Sequence, residues 1–112
     1  MLILDSSTLF GNTATQDGGG IFNDGTLTVI NSTFYDNTAV GQNDAFGGGG
    51  IFNWYRGMLT LSNSTISHNF GTPYGGGIFN YFGGSAISTT PLKFMPTFFC
   101  MCSTSRLARV VQ

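Results

Sequence analysis

One hexapeptide, Gly-Gly-Gly-Ile-Phe-Asn, occurs three times without change, and this repetition constrains the fold more than any other feature of the chain. The copies occupy residues 18–23, 48–53 and 75–80, so that successive copies begin 30 and 27 residues apart. Repeats of this length, made of short apolar segments and glycine-rich turns, are typical of solenoids, in which each repeat buries its apolar face against its neighbours. We therefore predict that each repeat forms one coil of a solenoid.

A second block, in which apolar and polar residues alternate, follows the first two hexapeptides at residues 27–34 and 59–66, and residues 2–9 repeat it. The two-residue period of a strand places alternate side chains on opposite faces. Asp24-Gly25 and Arg56-Gly57 separate hexapeptide from block and predict tight turns. The side chains predicted to point inward are Leu27, Val29 and Asn31 in one copy and Leu59, Leu61 and Asn63 in the next.

Stacking of equivalent residues predicts continuous columns through the coils, about 4.8 Å per step. The predicted columns are an aliphatic one of Ile21, Ile51 and Ile78, an aromatic one of Phe22, Phe52 and Phe79, and an amide ladder of Asn12, Asn37 and Asn69. The sequence thus favours an all-β fold, a parallel β-helix of about three coils over residues 1–88. An antiparallel β-sandwich is the alternative, although it does not require an identical hexapeptide in each repeat.

Residues 89–112 form a non-repeat tail in this interpretation. Pro91 and Pro96 interrupt strand structure there, and the repeat pattern stops after Ser88. Two alternatives remain for the tail: a cap over the last coil, which solenoids need, or frameshifted coding sequence. The incomplete first coil indicates a fragment of a larger protein that is marginally stable and prone to edge-to-edge self-association.

The repeat resembles that of the chlamydial polymorphic outer-membrane proteins, whose signature pairs Gly-Gly-Ala-Ile with Phe-x-x-Asn. Here Gly-Gly-Gly-Ile stands at residues 18–21, 48–51 and 75–78, and Phe34-Tyr35-Asp36-Asn37 fits the second motif. The resemblance implies a right-handed, pectin-lyase-like parallel β-helix. It also implies a secreted or outer-membrane, cell-surface location and an adhesin-like role. From these residues alone we expect no signal peptide, because Met1 to Leu4 leads into the repeat without a basic segment or cleavage site.

Charge and motif content argue against several classes of function. Charged residues make up 8% of the chain, and its four basic residues do not cluster, so nucleic-acid binding is not expected. No apolar stretch is long enough to span a bilayer. The glycine runs lack the Gly-Lys-Ser/Thr of a phosphate-binding loop. Cys100, Cys102 and His68 fall short of the four ligands of a closed zinc site. We therefore expect neither a cofactor nor a metal.

Catalysis by a parallel β-helix enzyme on polysaccharides requires carboxylates gathered on adjacent coils. Alignment of the repeats places Asp5 with Ile30 and Ser62, Asp24 with Trp54 and Tyr81, and Asp36 with Gly11 and His68, so that no column holds two acids. His68 has no aligned Asp, Ser or Cys partner and is interpreted as a surface residue of a strand. We assign no catalytic residue and expect the chain not to be an enzyme.

The best candidate for binding is a group of aromatic residues that flank the second and third hexapeptides on one side of the solenoid: Trp54, Tyr55, Tyr74, Tyr81 and Phe82. Surface aromatic residues bind sugar rings or partner surfaces in many proteins. The competing interpretation is that they stack only to stabilise the solenoid. The expected partners are a carbohydrate or a cell-surface protein. The alternatives are a fragment of a carbohydrate-active β-helix enzyme and a degenerate reading frame.

Overall fold

The computed structural model describes residues 1–42, 47–81 and 83–89, together with the backbone of residues 93–95 and 106–107. All the regular structure in these residues is β-strand. The strands, in chain order, are β1 (Leu2–Asp5), β2 (Thr8–Phe10), β3 (Thr13–Ala14), β4 (Ile21–Asn23), β5 (Thr26–Ile30), β6 (Thr33–Tyr35), β7 (Thr38–Val40), β8 (Ile51–Asn53), β9 (Met58–Ser62), β10 (Thr65–Ser67), β11 (Phe70–Thr72), β12 (Ile78–Asn80), β13 (Ser85–Ser88), β14 (Lys93–Met95) and β15 (Arg106–Leu107).

The strands stack into four parallel sheets, and each sheet takes one strand from every coil. The orders are β1-β5-β9-β13-β15 in the first sheet, β14-β10-β6-β2 in the second, β11-β7-β3 in the third and β12-β8-β4 in the fourth. Every pairing between these strands is parallel. The fold is therefore a parallel β-helix of about three coils, as the repeat predicted.

The core lies between the sheets and is built from the inward residues of each strand. Ile51 lies directly opposite both Ile21 and Ile78 in the fourth sheet, which confirms the predicted aliphatic column. In the first sheet Leu27 pairs with Leu59. The fully buried members of the core cluster are Leu27, Val29, Phe34, Ile51, Leu59, Leu61, Ile66, Ile78 and Ala86. Burial of these side chains is the main favourable term in the folding of the repeats.

An asparagine ladder runs through the interior between the second and third sheets, as predicted. The Asn12 amide nitrogen donates to Oδ1 of Asn37 at 2.9 Å, and the Asn37 amide nitrogen donates to Oδ1 of Asn69 at 2.9 Å. Asn37 is completely buried. The ladder satisfies amide groups that would otherwise be buried without partners, which is costly in an apolar interior.

The prediction that Asn31 and Asn63 point inward is wrong. Both asparagines are exposed, and the buried residues at these corners are Ser32 and Ser64. Asn31 and Asn63 have φ angles of +50° and +46°, in the left-handed region. A left-handed residue turns the chain at a corner and so breaks the strict alternation of a strand. The alternation of inward and outward side chains therefore shifts by one residue after β5 and after β9.

Backbone strands continue beyond the third coil. β13 pairs with β9, β14 lies beside β10 in the second sheet, and β15 pairs with the far side of β13. Two short strands of the segment after residue 88 therefore add to the sheets of the repeats. The boundary at residue 88 and the two interpretations of the tail stay predictions. Asp44, Phe82, and Cys100 with Cys102 lie outside the described residues.

Candidate ligand-binding face

The aromatic column of the hexapeptides forms the centre of the candidate face. Ile51 belongs to the core, so the alternation of β8 turns Phe52 to the outer side of the fourth sheet. Phe52 stacks on Phe22 and on Phe79, with ring centroids 5.3 Å apart in both pairs and interplanar angles of 13° and 11°. The predicted aromatic column is thus confirmed, and it lies outside the core.

Two predicted face residues extend this column sideways. Trp54 follows β8 and Tyr81 follows β12, and their rings stack with centroids 4.4 Å apart and planes 18° apart. The Trp54 ring centroid also lies 5.6 Å from that of Phe52. The structure therefore brings Trp54 and Tyr81 together as neighbours on successive coils, in contact with the phenylalanine column.

The other predicted residues occupy the margins of the face. Tyr74 precedes the third hexapeptide and stacks on Phe79 at 6.0 Å. Tyr55 lies against the next turn, because a β-carbon at Gly83 would stand 3.1 Å from its ring. Tyr55 and Tyr74 are 51% and 47% exposed, whereas Trp54 and Tyr81 are half-buried. Phe82, the fifth predicted residue, lies outside the described residues.

The phenylalanines that join this group were missing from the predicted site. Phe52 and Phe79 are buried although they face outward, because their aromatic neighbours cover them. Strand alternation within Ile-Phe-Asn carried the signal that could have found them, since an inward isoleucine requires an outward phenylalanine. We call Phe22, Phe52, Phe79, Trp54, Tyr74 and Tyr81 the aromatic face.

The orientation of the rings limits what the aromatic face can do chemically. The rings stack along the solenoid axis, so that Trp54 and Tyr81 cover one face of each other. A sugar binds an aromatic ring through C–H groups over the ring face, where the π-electron density is negative. The candidate face therefore offers mainly ring edges, together with the exposed tyrosine rings at its margins.

An ion pair lies beside this face. Arg56 Nη2 lies 3.1 Å from Asp24 Oδ2, and Asp24 lies in the same column as Trp54. The Arg56 side chain is 74% exposed, so the pair is screened and contributes less than about 1 kcal/mol to stability. Its charged groups, like the hydroxyl groups of the exposed tyrosines, can hydrogen-bond a polar ligand at this edge.

The carboxylates of the four described aspartates do not share a column. The strand register places Asp5 opposite Ile30, and Ile30 opposite Ser62. Asp17 accepts a hydrogen bond from the Gly47 amide at 2.8 Å, which fixes it as part of a turn. Within residues 1–42, 47–81 and 83–89, no three His, Cys, Asp or Glu side chains come together as metal ligands.

His68 lies at a corner rather than in a strand, contrary to the prediction. It follows β10 with a φ of +56°, and it shares its column with Gly11 and Asp36, which have φ angles of +65° and +56°. Its ring lies 5.1 Å from Tyr35, which in turn stacks on Phe10 at 5.3 Å. This second exposed aromatic group, on the second sheet, was also missed. Alignment of the repeats could have revealed this group, because it places Phe10 beside Tyr35.

Part of the chain matches a known protein family. Residues 6–24 match the Chlamydia polymorphic membrane protein repeat. The matched segment contains β2, β3, β4 and the first hexapeptide. It therefore includes Asn12 of the asparagine ladder and Phe22 of the aromatic face. No curated protein and no solved structure matches the chain. The described residues contain no helix with the length and apolar character needed to cross a membrane.

The same substitution at two positions of the phenylalanine column tests whether this column stabilises the solenoid. Phe52 is fully buried and Phe22 is 51% exposed. We expect Phe52→Leu to lower the free energy of unfolding by about 1–2 kcal/mol, because it removes the ring contacts of Phe52 with its aromatic neighbours and leaves a void. Phe22→Leu is expected to cost less than about 0.5 kcal/mol. Urea unfolding monitored by circular dichroism measures both, and equal losses would contradict this interpretation.

Proposed function

We propose that this chain is a non-catalytic, adhesin-like segment of a secreted or outer-membrane, cell-surface β-helix protein. The match of residues 6–24 to the polymorphic membrane protein repeat supports a surface or outer-membrane protein. The observation that carries the non-catalytic part is the strand register, which separates the described carboxylates into different columns. Acid–base cleavage of a glycosidic bond uses two carboxyl groups close together.

The aromatic face supports the adhesive part of the proposal. The exposed ring of Tyr74, that of Tyr55 at the margin, and the Asp24–Arg56 pair place apolar rings near charged groups. Aromatic residues and arginine are enriched at recognition sites. The proposed partners are a carbohydrate or a cell-surface protein. The aromatic rings are already stacked on one another, so little conformational entropy is lost on binding.

Retention of protein-coated beads on a glycan-bearing epithelial monolayer tests the adhesive role. Beads coated with the chain are expected to bind, and Trp54→Ala is expected to weaken retention about tenfold, as loss of a central aromatic contact does. Tyr35→Ala is the matched control, because it removes a stacked ring from the second sheet instead. Prior glycosidase treatment of the monolayer separates a carbohydrate partner from a protein one. Equal effects of the two variants would refute the assignment of this face.

Product analysis tests the alternative, a carbohydrate-active enzyme fragment. The chain is incubated with neutral and acidic polysaccharides, and reducing ends and unsaturated sugar products are measured. We expect no product above buffer, and no difference between the native chain and the Asp24→Asn or Asp36→Asn variants. Product formation that disappears in either variant would establish the enzymatic alternative. A chain without a cooperative unfolding transition would instead favour the degenerate reading frame.

A further inference from the structure

The turn that follows the hexapeptide differs in length from coil to coil. The strand register pairs Asn23 with Asn53 and Thr26 with Met58. Two residues lie between Asn23 and Thr26, whereas four lie between Asn53 and Met58. The third turn, residues 81–84, is as long as the second. Because the turns begin and end at paired residues, the two additional residues of the longer turns have no place in the coil and must project from it.

The additional residues of the second turn stand at its tip. A hydrogen bond of 2.7 Å from the Gly57 N–H to the Trp54 carbonyl closes the turn around Tyr55 and Arg56. Tyr55 is 51% exposed, and the Arg56 side chain is 74% exposed. Residues inserted into the turns of a solenoid form loops on one face, which is often the binding face. We call the ledge that Tyr55 and Arg56 form beside Asp24 of the shorter first turn the step.

The step presents one aromatic ring that is supported from a single side. A β-carbon at Gly83, on the following coil, would stand 3.1 Å from the Tyr55 ring and 2.8 Å from its carbonyl oxygen, so glycine allows this close approach. On the side of the first coil, the shorter turn has no residue equivalent to Tyr55. The ring is therefore held in place by the third turn and open towards the first. Described residues form both sides of the step.

An ion pair crosses the step beside this ring. Arg56 Nη2, on the second turn, lies 3.1 Å from Asp24 Oδ2, on the first. This contact uses one nitrogen of the guanidinium, which carries five N–H donors, and one of the two carboxylate oxygens. The Asp24 side chain is 35% exposed. Within the described part of the chain, both groups therefore keep hydrogen-bonding capacity towards a ligand.

We propose that the step is a binding subsite for one neutral pyranose unit of a glycan. The C–H groups on one face of the sugar lie over the Tyr55 ring, while hydroxyl groups at its edge donate to Asp24 and accept from Arg56. An apolar face and a hydroxyl-bearing edge belong to the same small ring in a sugar, which matches the closely spaced ring and ion pair. The inference rests on the proposed adhesive function and names its carbohydrate partner.

The charges of the step favour a neutral sugar over an acidic one. Asp24 and Arg56 carry opposite charges, so the step attracts an anion only weakly. The carboxylate of an acidic sugar would in addition meet that of Asp24, and like charges repel. A neutral hydroxyl group can instead donate to one partner and accept from the other.

Titration of the full isotope-labelled chain with methyl glycosides, followed by amide chemical shifts, tests the proposal. The probes are methyl β-glucoside, methyl β-galactoside and methyl α-mannoside. At least one is expected to give saturable shifts of the Tyr55, Arg56 and Gly83 amides and to leave that of Gly11, on another sheet edge, in place. No saturable shift at the step with any of the three would overturn the proposal. Tighter binding of methyl β-glucuronide than of methyl β-glucoside would overturn the assignment of a neutral sugar.

Substitutions at the step separate the role of the ring from that of the ion pair. Tyr55→Ala is expected to weaken glycoside binding about tenfold, whereas Tyr55→Phe keeps the ring and is expected to stay within about twofold of the native chain. Asp24→Ala removes the acceptor and is also expected to weaken binding about tenfold. Tyr35→Ala, which removes a stacked ring from the second sheet, is the matched control and is expected to have no effect. Equal affinities of the native chain and Tyr55→Ala would contradict the proposal.

An insertion tests whether the short first turn creates the subsite. Two serines placed between Asp24 and Gly25 give the first turn the length of the second, so that it covers Tyr55 from the first coil. We expect glycoside binding to be lost while the circular dichroism spectrum stays that of the native chain. Retained binding in this variant would overturn the proposal. The point variants Tyr55→Ala and Asp24→Ala decide the question if the longer turn prevents folding.

Failure of the subsite and failure of the adhesive role give different results. Beads that are not retained on the epithelial monolayer, together with glycoside binding at the step, would refute the adhesive role and leave the subsite standing. Beads that are retained equally with the native chain and with Tyr55→Ala, before and after glycosidase treatment, would indicate a protein partner. That result would overturn the subsite and leave the adhesive role standing.

Discussion

Replacing Gly49 with alanine is expected to lower the free energy of unfolding by at least about 3 kcal/mol, a large part of the stability of a small domain. Gly49 lies in the middle copy of the glycine run, stacked between the outer two copies. Its N–H donates to the Gly75 carbonyl at 2.9 Å. A β-carbon at Gly49 would overlap the carbonyl oxygens of Phe70 and Gly76, both of which are backbone atoms. The coils would have to move apart to accept it.

Gly25→Ala is the matched control. A β-carbon at Gly25 meets no heavy atom within 4 Å, and its φ lies outside the left-handed region. We expect this change to leave stability within about 0.5 kcal/mol or to raise it slightly, because alanine restricts the unfolded chain. Urea unfolding of both variants gives the comparison. Similar losses at the two glycines would show that the stacked corner has no special steric constraint.

The register of the coils was the most predictable part of the structure, and the reason is physical. An identical hexapeptide in each repeat leaves one alignment in which Ile21, Ile51 and Ile78 all enter the core, and a slip of one residue would turn each of them outward. The separation of the aspartates into different columns follows from the same register. The predictions that depended on which residues share a column were therefore correct.

The corners were less predictable because their conformation is not encoded by glycine alone. Ser6, Asn31 and Asn63 form one left-handed column, and Gly11, Asp36 and His68 form another. Only one of these residues is a glycine, although asparagine and aspartate are also tolerated in this region. The prediction extended the two-residue period of the strand across the corner, and it therefore placed Asn31 and Asn63 inside the solenoid. His68 was likewise placed in a strand instead of at the end of one.

The candidate binding face was predicted at its margins and missed at its centre. Trp54, Tyr74 and Tyr81 stood out because tryptophan and tyrosine are amphipathic and flank the repeats. Phe52 was read as part of a structural column, which is correct, but this column also supports the rings of Trp54 and Tyr81. Sequence periodicity cannot separate the two roles, because an outward stack both stabilises the sheet and forms its surface.

Besides the ladder of Asn12, Asn37 and Asn69, the hexapeptides form a second asparagine ladder, in which the Asn23 amide nitrogen donates to Asn53 and that of Asn53 donates to Asn80. The two ladders explain how a chain with few charged residues can place polar groups in its interior. Each amide supplies donors to the following coil and an acceptor to the preceding one, so that a single residue type satisfies itself in every repeat. The same arrangement makes the ladders sensitive to substitution, since one change leaves partners unsatisfied on both neighbouring coils.

Asn53→Leu is accordingly expected to cost about 4 kcal/mol or more and to leave the protein largely unfolded at physiological temperature. Asn53 is fully buried, accepts from Asn23 and donates to Asn80 at 2.6 Å. Its amide nitrogen also lies 3.1 Å from the Gly57 carbonyl oxygen and 3.0 Å from that of Ser85. Leucine has nearly the same size but would leave these polar groups buried without their partner.

Asn31→Gly is the control, because it removes a hydrogen bond between two asparagines that are exposed to solvent. Asn63 donates to Asn31 at 2.7 Å, both residues are exposed, and glycine accepts the φ of +50° at position 31. We expect a loss below about 1 kcal/mol for this change. Comparable losses for Asn53→Leu and Asn31→Gly in urea unfolding would contradict the importance of the buried ladder.

Asn53→Asp separates the loss of the donors from the loss of shape. Aspartate keeps the acceptor for Asn23 and removes the hydrogens given to Asn80 and to the carbonyls of Gly57 and Ser85. Burial raises the pKa of the introduced carboxyl, so the folded state holds its proton more tightly than the unfolded state does. Stability of this variant is therefore expected to fall as pH rises from mildly acidic to neutral. A pH-independent loss equal to that of Asn53→Leu would show that shape, rather than hydrogen bonding, fixes the ladder.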